Sequence, residues 1–150
     1  MKEDAAAKNY SKILVGYDGS ANAKRALERA LALATSEGAA LRIVVAVNTI
    51  LPVYGAAAPY YPPHYAEDVT EEGQKSLGEA LGRAREMTQK VSGSVEDGHP
   101  AEMILNAADR NGCDLIVLGR RGISGVERFL MGGVSSSVVN HSKCDVLIVR

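Results

Sequence analysis

A chain of 150 residues with 46% hydrophobic and 23% charged residues has the size and balance of one domain with a sizeable core. Its net charge of -1 and pI of about 6.3 give no bulk electrostatic case for nucleic acid or an anionic membrane, and no apolar run is long enough to cross a bilayer. The opening MKEDAAAKNYSK lacks the apolar stretch of a secretory leader. The two cysteines, Cys113 and Cys144, share no CxxC or metal-ligand spacing, and both suit small buried positions, so the expected compartment is the cytoplasm.

KILVGYD, from Lys12 to Asp18, reads as a strand covered on both faces, following a tail over residues 1–11. Asp18-Gly19-Ser20 breaks it, with Ser20 placed as an N-cap. Ala23, Leu27, Ala30, Leu31 and Ala34 then recur at helical spacing up to the stop at Gly38, and ALRIVVAV (Ala40 to Val47) reads as a second buried strand. Asn48 to Asp68 holds four of the five prolines and four of the six tyrosines, so a long connection is expected there, either a lid or a docking surface. Asp68 with Glu71 fits a capping box for a second helix, whose face would carry Leu77, Leu81, Ala84, Met87 and Val91.

GSVEDG (Gly93 to Gly98) reads as a weak third strand near a sheet edge. Pro100 opens a helix with Met103, Ile104, Ala107 and Ala108 on one face, ended by Asn111-Gly112. DLIVLG (Asp114 to Gly119) is the strongest strand pattern, GVSSSVVNHS a fourth helix, and DVLIVR (Asp145 to Arg150) a last strand. This alternation predicts an α/β fold: one open, five-stranded parallel sheet over residues 12–150, Rossmann-like, with right-handed crossovers and helices on both faces. In such sheets ligands bind beyond the carboxyl ends of the strands, where strand order reverses.

One of those ends is rich in glycine. Gly119, Gly122, Gly125, Gly132 and Gly133 fall within fifteen residues, directly after DLIVLG. The stretch is neither a Walker A loop nor GxGxxG. Gly122 can adopt positive φ or admit a phosphate close to the backbone. Gly132 and Gly133 lie at the start of the fourth helix, where unpaired N–H groups and the helix dipole favour an anion. Ser135 and Ser136 could add hydroxyl donors. Arg120 and Arg121 either place positive charge beside the site or face solvent. The alternative is a glycine-rich surface loop with no ligand.

The spacing Gly119-x2-Gly122-x9-Gly132-Gly133 resembles the G-x2-G-x9-G-[S/T] ATP-binding motif of the universal stress protein family. KILVGYDGS, GHPAEMILNAADRNGCDLIVLGRRG and CDVLIVR resemble the family's opening, middle and terminal segments, so the likeness covers almost the whole chain. It implies a sheet of order 3-2-1-4-5, usually in a homodimer, and an ATP (or ADP or AMP) ligand with Mg²⁺. Asp18 matches the acidic residue near ribose and metal, although capping the first helix or making a D-G turn would also explain it. Gly16 or Tyr17 would lie beside the nucleoside. Val47 matches the position whose backbone reads adenine, and Leu118 and Val134 would flank the pocket; all three also suit a plain core. Gly133 departs from the pattern, because the family has Ser or Thr there.

The histidines, His64, His99 and His141, have no metal-ligand spacing, and no nucleophile–base pair can be placed. No catalytic residue is therefore assigned, and any turnover of ATP should be slow. The implied function is a nucleotide-dependent stress-response regulator, dimeric through strand 145–150, acting on a protein partner that the sequence does not identify. Two alternatives stay open: a dimeric binding module without nucleotide, and a slow ATP hydrolase.

Overall fold

In the computed structural model, which describes residues 9–50, 62–120 and 133–150, the apolar runs become the strands of one sheet. The strands are β1 (Lys12–Gly16), β2 (Ala40–Val47), β3 (Val91–Asp97), β4 (Leu115–Gly119) and β5 (Asp145–Val149). All pair in parallel in the order β3-β2-β1-β4-β5. Helices α1 (Ala21–Glu37), α2 (Tyr65–Arg85), α3 (Pro100–Asn111) and α4 (Gly133–His141) connect them.

The two faces bury separate cores. Ile13, Val15, Ile43 and Val117 meet Leu27 and Leu31 of α1 and Leu77 and Ala80 of α2 on one face. Leu14, Val44, Ile116 and Leu118 meet Ile104 and Ala107 of α3 and Val138 of α4 on the other. Each central strand therefore buries both sets of side chains, which is why its sequence is a continuous apolar run without alternation.

The caps of α1 form as its sequence predicts. Ser20 Oγ accepts from the Ala23 N–H at 3.1 Å, and Gly38 closes the helix with φ 68°. The start of β1's connection differs from expectation: the strand ends at Gly16, not Asp18. Tyr17 N–H still donates to the Val44 carbonyl at 2.9 Å, but an Asp18 carboxylate oxygen accepts from Ser20 N–H at 2.9 Å and Gly19 turns at φ 79°.

Helix α2 departs further. It begins at Tyr65, inside the stretch expected to be a connection, so Asp68 and Glu71 lie within the helix and form no capping box. The N-cap is His64, at φ 68° and with no side-chain cap. Glu67 and Asp68 instead place negative charge in the first turn, where the helix dipole favours it. Val91 is not on the α2 face: it is the first residue of β3, paired with Leu41. Met87 lies past the helix end and is 41% exposed. The remaining residues of the proline- and tyrosine-rich stretch, 51–61, lie outside the described residues. Among the described residues no helix is long and apolar enough to cross a membrane.

Candidate functional site

Strand order reverses between β1 and β4, so their carboxyl ends form the crevice at which this architecture takes ligands. Gly16 and Gly119 are the last residues of these two strands. Both are packed from behind. A Cβ on Gly119 would stand 2.7 Å from the Asn22 backbone carbonyl carbon and 2.8 Å from its oxygen, so the first turn of α1 rests directly on the end of β4. A Cβ on Gly16 would meet Leu118 Cδ2 at 2.6 Å and Ile104 Cδ1 at 2.9 Å. Bare backbone at Gly119 is thus required by helix–sheet packing, whereas at Gly16 only the ends of two flexible side chains would have to move.

Helix α4 begins opposite this point. Its first N–H groups have no partner within the helix, and they carry the positive end of its dipole. Ser135, 4% exposed, fixes the helix in place: its hydroxyl donates to the Gly119 carbonyl at 2.9 Å and lies 3.3 Å from the Arg120 carbonyl. Ser136 is half-buried. Arg120 is half-buried and its N–H donates to the Val149 carbonyl at 2.8 Å, tying the exit of β4 to β5. Gly133 is exposed, and a Cβ there meets no heavy atom within 4 Å among the described residues. Arg121, Gly122, Gly125 and Gly132 lie outside the described residues.

The other candidate positions divide between crevice and core. Asp18 is half-buried beside the end of β1, with one carboxylate oxygen engaged by Ser20. Tyr17 is 5% exposed and belongs to the core on the α1–α2 side; burial pushes its phenol up, helped by the charges of Glu79 and Asp18. Leu118 is a full member of the opposite core and Val134 packs against it. Val47 is buried against α2, where a Cβ on Gly73 would stand 2.6 Å from Val47 Cγ1. The Val47 carbonyl accepts from Gly98 N–H at 2.8 Å. The histidines lie apart from this crevice: His64 pairs with Glu67 at 2.7 Å, His99 stands at the N-cap position of α3 without a side-chain cap bond, and His141 Nδ1 lies 2.8 Å from the Ser137 carbonyl.

Three residues at the same edge carry no motif signal. Asn22 is the surface under Gly119. Thr49 and Asp97 clasp the exits of β2 and β3: Asp97 accepts from the Thr49 hydroxyl at 2.5 Å and its N–H at 3.1 Å, which holds the Asp97 carboxyl below its ordinary range. Only the register of β2 with β3, Val47 against Asp97, brings that pair together.

Chemically, the unpaired N–H groups at the start of α4 suit an anion, while Asp18 stands past the end of β1 with one oxygen held by Ser20. Among the described residues no group of three or more His, Cys, Asp or Glu side chains could hold a metal ion.

The comparisons with known proteins identify the family and the fold. A family model described as the universal stress protein family matches residues 9–150. The universal stress protein YxiE of Bacillus subtilis is 38% identical over 149 residues, covering 94% of this chain and 99% of its own. The universal stress protein Sll1388 of Synechocystis is 34% identical over 155 residues, covering 94% and 98%. Among solved structures, a universal stress protein in complex with cAMP is 30% identical, with a TM-score of 0.69 over 95% of this chain and 98% of that one. A universal stress protein family member from Burkholderia pseudomallei is 28% identical, with a TM-score of 0.74 over 96% and 98%. The chain belongs to the universal stress protein family.

Proposed function

We propose that this protein is an adenine-nucleotide-binding stress-response regulator, with ATP as its ligand and Mg²⁺ bound through the phosphates. The observation that carries the reading is the position of the glycine motif. Its first residue, Gly119, ends a strand at the reversal of sheet order, and its last, Gly133, opens a helix whose N-terminus adjoins that strand through Ser135. The 30%-identical structure solved with cAMP shows that a related chain of this fold holds an adenine nucleotide.

In this reading Gly16, Tyr17 and Asp18 border the nucleoside and ribose through backbone and carboxylate. Val47, Leu118 and Val134 form the apolar wall. Gly119, Arg120, Arg121, Gly122, Gly125, Gly132, Gly133 and Ser135 surround the phosphates. The nucleotide supplies negative charge that α4's N–H groups neutralise. Binding then favours one arrangement of the glycine segment and changes the surface offered to a protein partner. The outer strand β5, an open edge of the sheet, pairs with its copy in a dimer. The reading is a cytoplasmic switch, with turnover slow if it occurs.

The test is direct. Purified protein is denatured and the released small molecules are separated and identified, and melting is followed with millimolar Mg-ATP, ADP and AMP. Released adenine nucleotide or a rise in melting temperature supports the reading; absence of both overturns it. Light scattering tests the dimer, and a monomer would remove it.

A second reading, a binding module without nucleotide, is favoured by two observations. Gly133 stands where the family has a hydroxyl, and the Ser135 hydroxyl proton is committed to the strand carbonyls. Loss of one hydrogen bond to a charged group costs about 1.5–3 kcal/mol. That weakens binding by about ten- to hundredfold.

A further inference from the structure

Cys113 and Cys144 lie at the opposite end of the sheet, just before β4 and β5. The register of those strands pairs Leu115 with Asp145. The two cysteines therefore stand in the segments that lead side by side into β4 and β5. Both side chains also turn to the same face: each is half-buried and packs against the core that contains Ile104, Ile116 and Val138. Cys113 reaches that face because it follows Gly112, the left-handed cap of α3, and its N–H returns to the Ala108 carbonyl at 2.9 Å. The two sulfurs sense each other electrostatically. Burial pushes the Cys113 thiol up and the charge of Cys144 adds to that, with Lys12 and Arg42 opposing and Asp114 assisting.

We propose that Cys113 and Cys144 form a peroxide-driven intramolecular disulfide that closes the segment from β4 to β5. Cys144, beside the Ser142 hydroxyl at 3.4 Å, reacts first. Its sulfur attacks hydrogen peroxide, the O–O bond breaks, and a sulfenic acid and one water form. The Cys113 sulfur then attacks that sulfur, the S–O bond breaks, and a second water leaves as the S–S bond forms. The two thiols lose two hydrogens in all, and one peroxide is reduced to two waters. The closed ring runs from Cys113 to Cys144 and contains β4 and α4.

Treatment of the intact protein with hydrogen peroxide, followed by mass spectrometry without reduction, tests this. The expected result is a monomer lighter by about 2 Da, no alkylatable thiol, and one cross-linked peptide joining Cys113 to Cys144. Melting should rise by several degrees and return on reduction, because the cross-link restricts the unfolded chain. Two thiols that remain alkylatable, covalent dimers, or thiols carried on to sulfinic acid would overturn it. In Cys144→Ser the loss of mass and the reversible rise should both vanish; their persistence there would also overturn the assignment.

Discussion

Gly119 and Gly133 stand at the two ends of one glycine motif, yet the structure gives them opposite surroundings. Gly119 has the Asn22 backbone 2.7 Å from where a Cβ would sit, whereas Gly133 has no heavy atom within 4 Å among the described residues. The first is glycine because α1 must rest on β4. Among the described residues nothing packed around the second requires glycine. The motif therefore joins a glycine that the packing of α1 on β4 demands to one that the described packing does not, and substitution separates the two kinds.

The largest effect should come from Gly119→Ala. Its methyl group meets backbone, which cannot swing aside, so α1 must shift; overpacking of this sort costs about 1–3 kcal/mol. Denaturant unfolding should show this loss with an unchanged slope, and a variant as stable as the parent would break the contrast. Ser135→Ala should come next, at about 1–2 kcal/mol, because it removes a buried hydroxyl that donates to the Gly119 carbonyl. Its value is diagnostic: a loss of stability without ligand present shows a clasp between strand and helix.

Gly133→Ser should move stability by no more than about 0.5 kcal/mol, the range of surface changes away from structural features. If the proposed site is right, the restored hydroxyl should tighten Mg-ATP binding by about tenfold in calorimetry. Unchanged affinity in a folded variant would count against a phosphate at that position.

The smallest effect belongs to the other end of β4. Asp114 is partly buried, which alone would raise its carboxyl, but the Ser11 and Lys12 N–H groups and the Ser11 hydroxyl outweigh this and hold it below its ordinary value. A carboxyl depressed in the folded state contributes stability that is complete above its unfolded value of about 3.9 and is lost as pH falls through the folded one. Stability measured from pH 5 downward should fall less steeply in Asp114→Asn than in the parent. Equal slopes would show that this clasp is not what titrates.

Much of this was legible in the sequence. Unbroken apolar runs identified strands covered on both faces, and Ser20 and Gly38 announced both ends of α1 because their side chain and backbone act locally. The start of α2 was not legible. His64 enters the helix through a left-handed conformation with no cap, and the acidic pair that imitates a capping box sits one turn further in. β3 was only half legible, because an edge strand with the sequence VSGSVED takes its identity from its pairing with β2. At the site, spacing identified the motif but not what each glycine does: the contact of Gly119 with Asn22 joins residues almost a hundred positions apart. Ser135 illustrates the same limit, since a serine at a helix start reads equally as a ligand donor or as a fastener.

The anchoring of the chain before β1 has a practical consequence. Tyr10 Oη donates to Asp145 at 2.7 Å and Ser11 is held by Asp114, so the polypeptide enters the fold across the amino ends of β4 and β5. The crevice lies at the far rim of the same parallel sheet. A sensor surface or fluorescent label attached ahead of Tyr10 would therefore sit at the rim remote from the carboxyl ends of β1 and β4, whereas a tag placed after Arg150 would emerge beside those strand exits and the edge of β5.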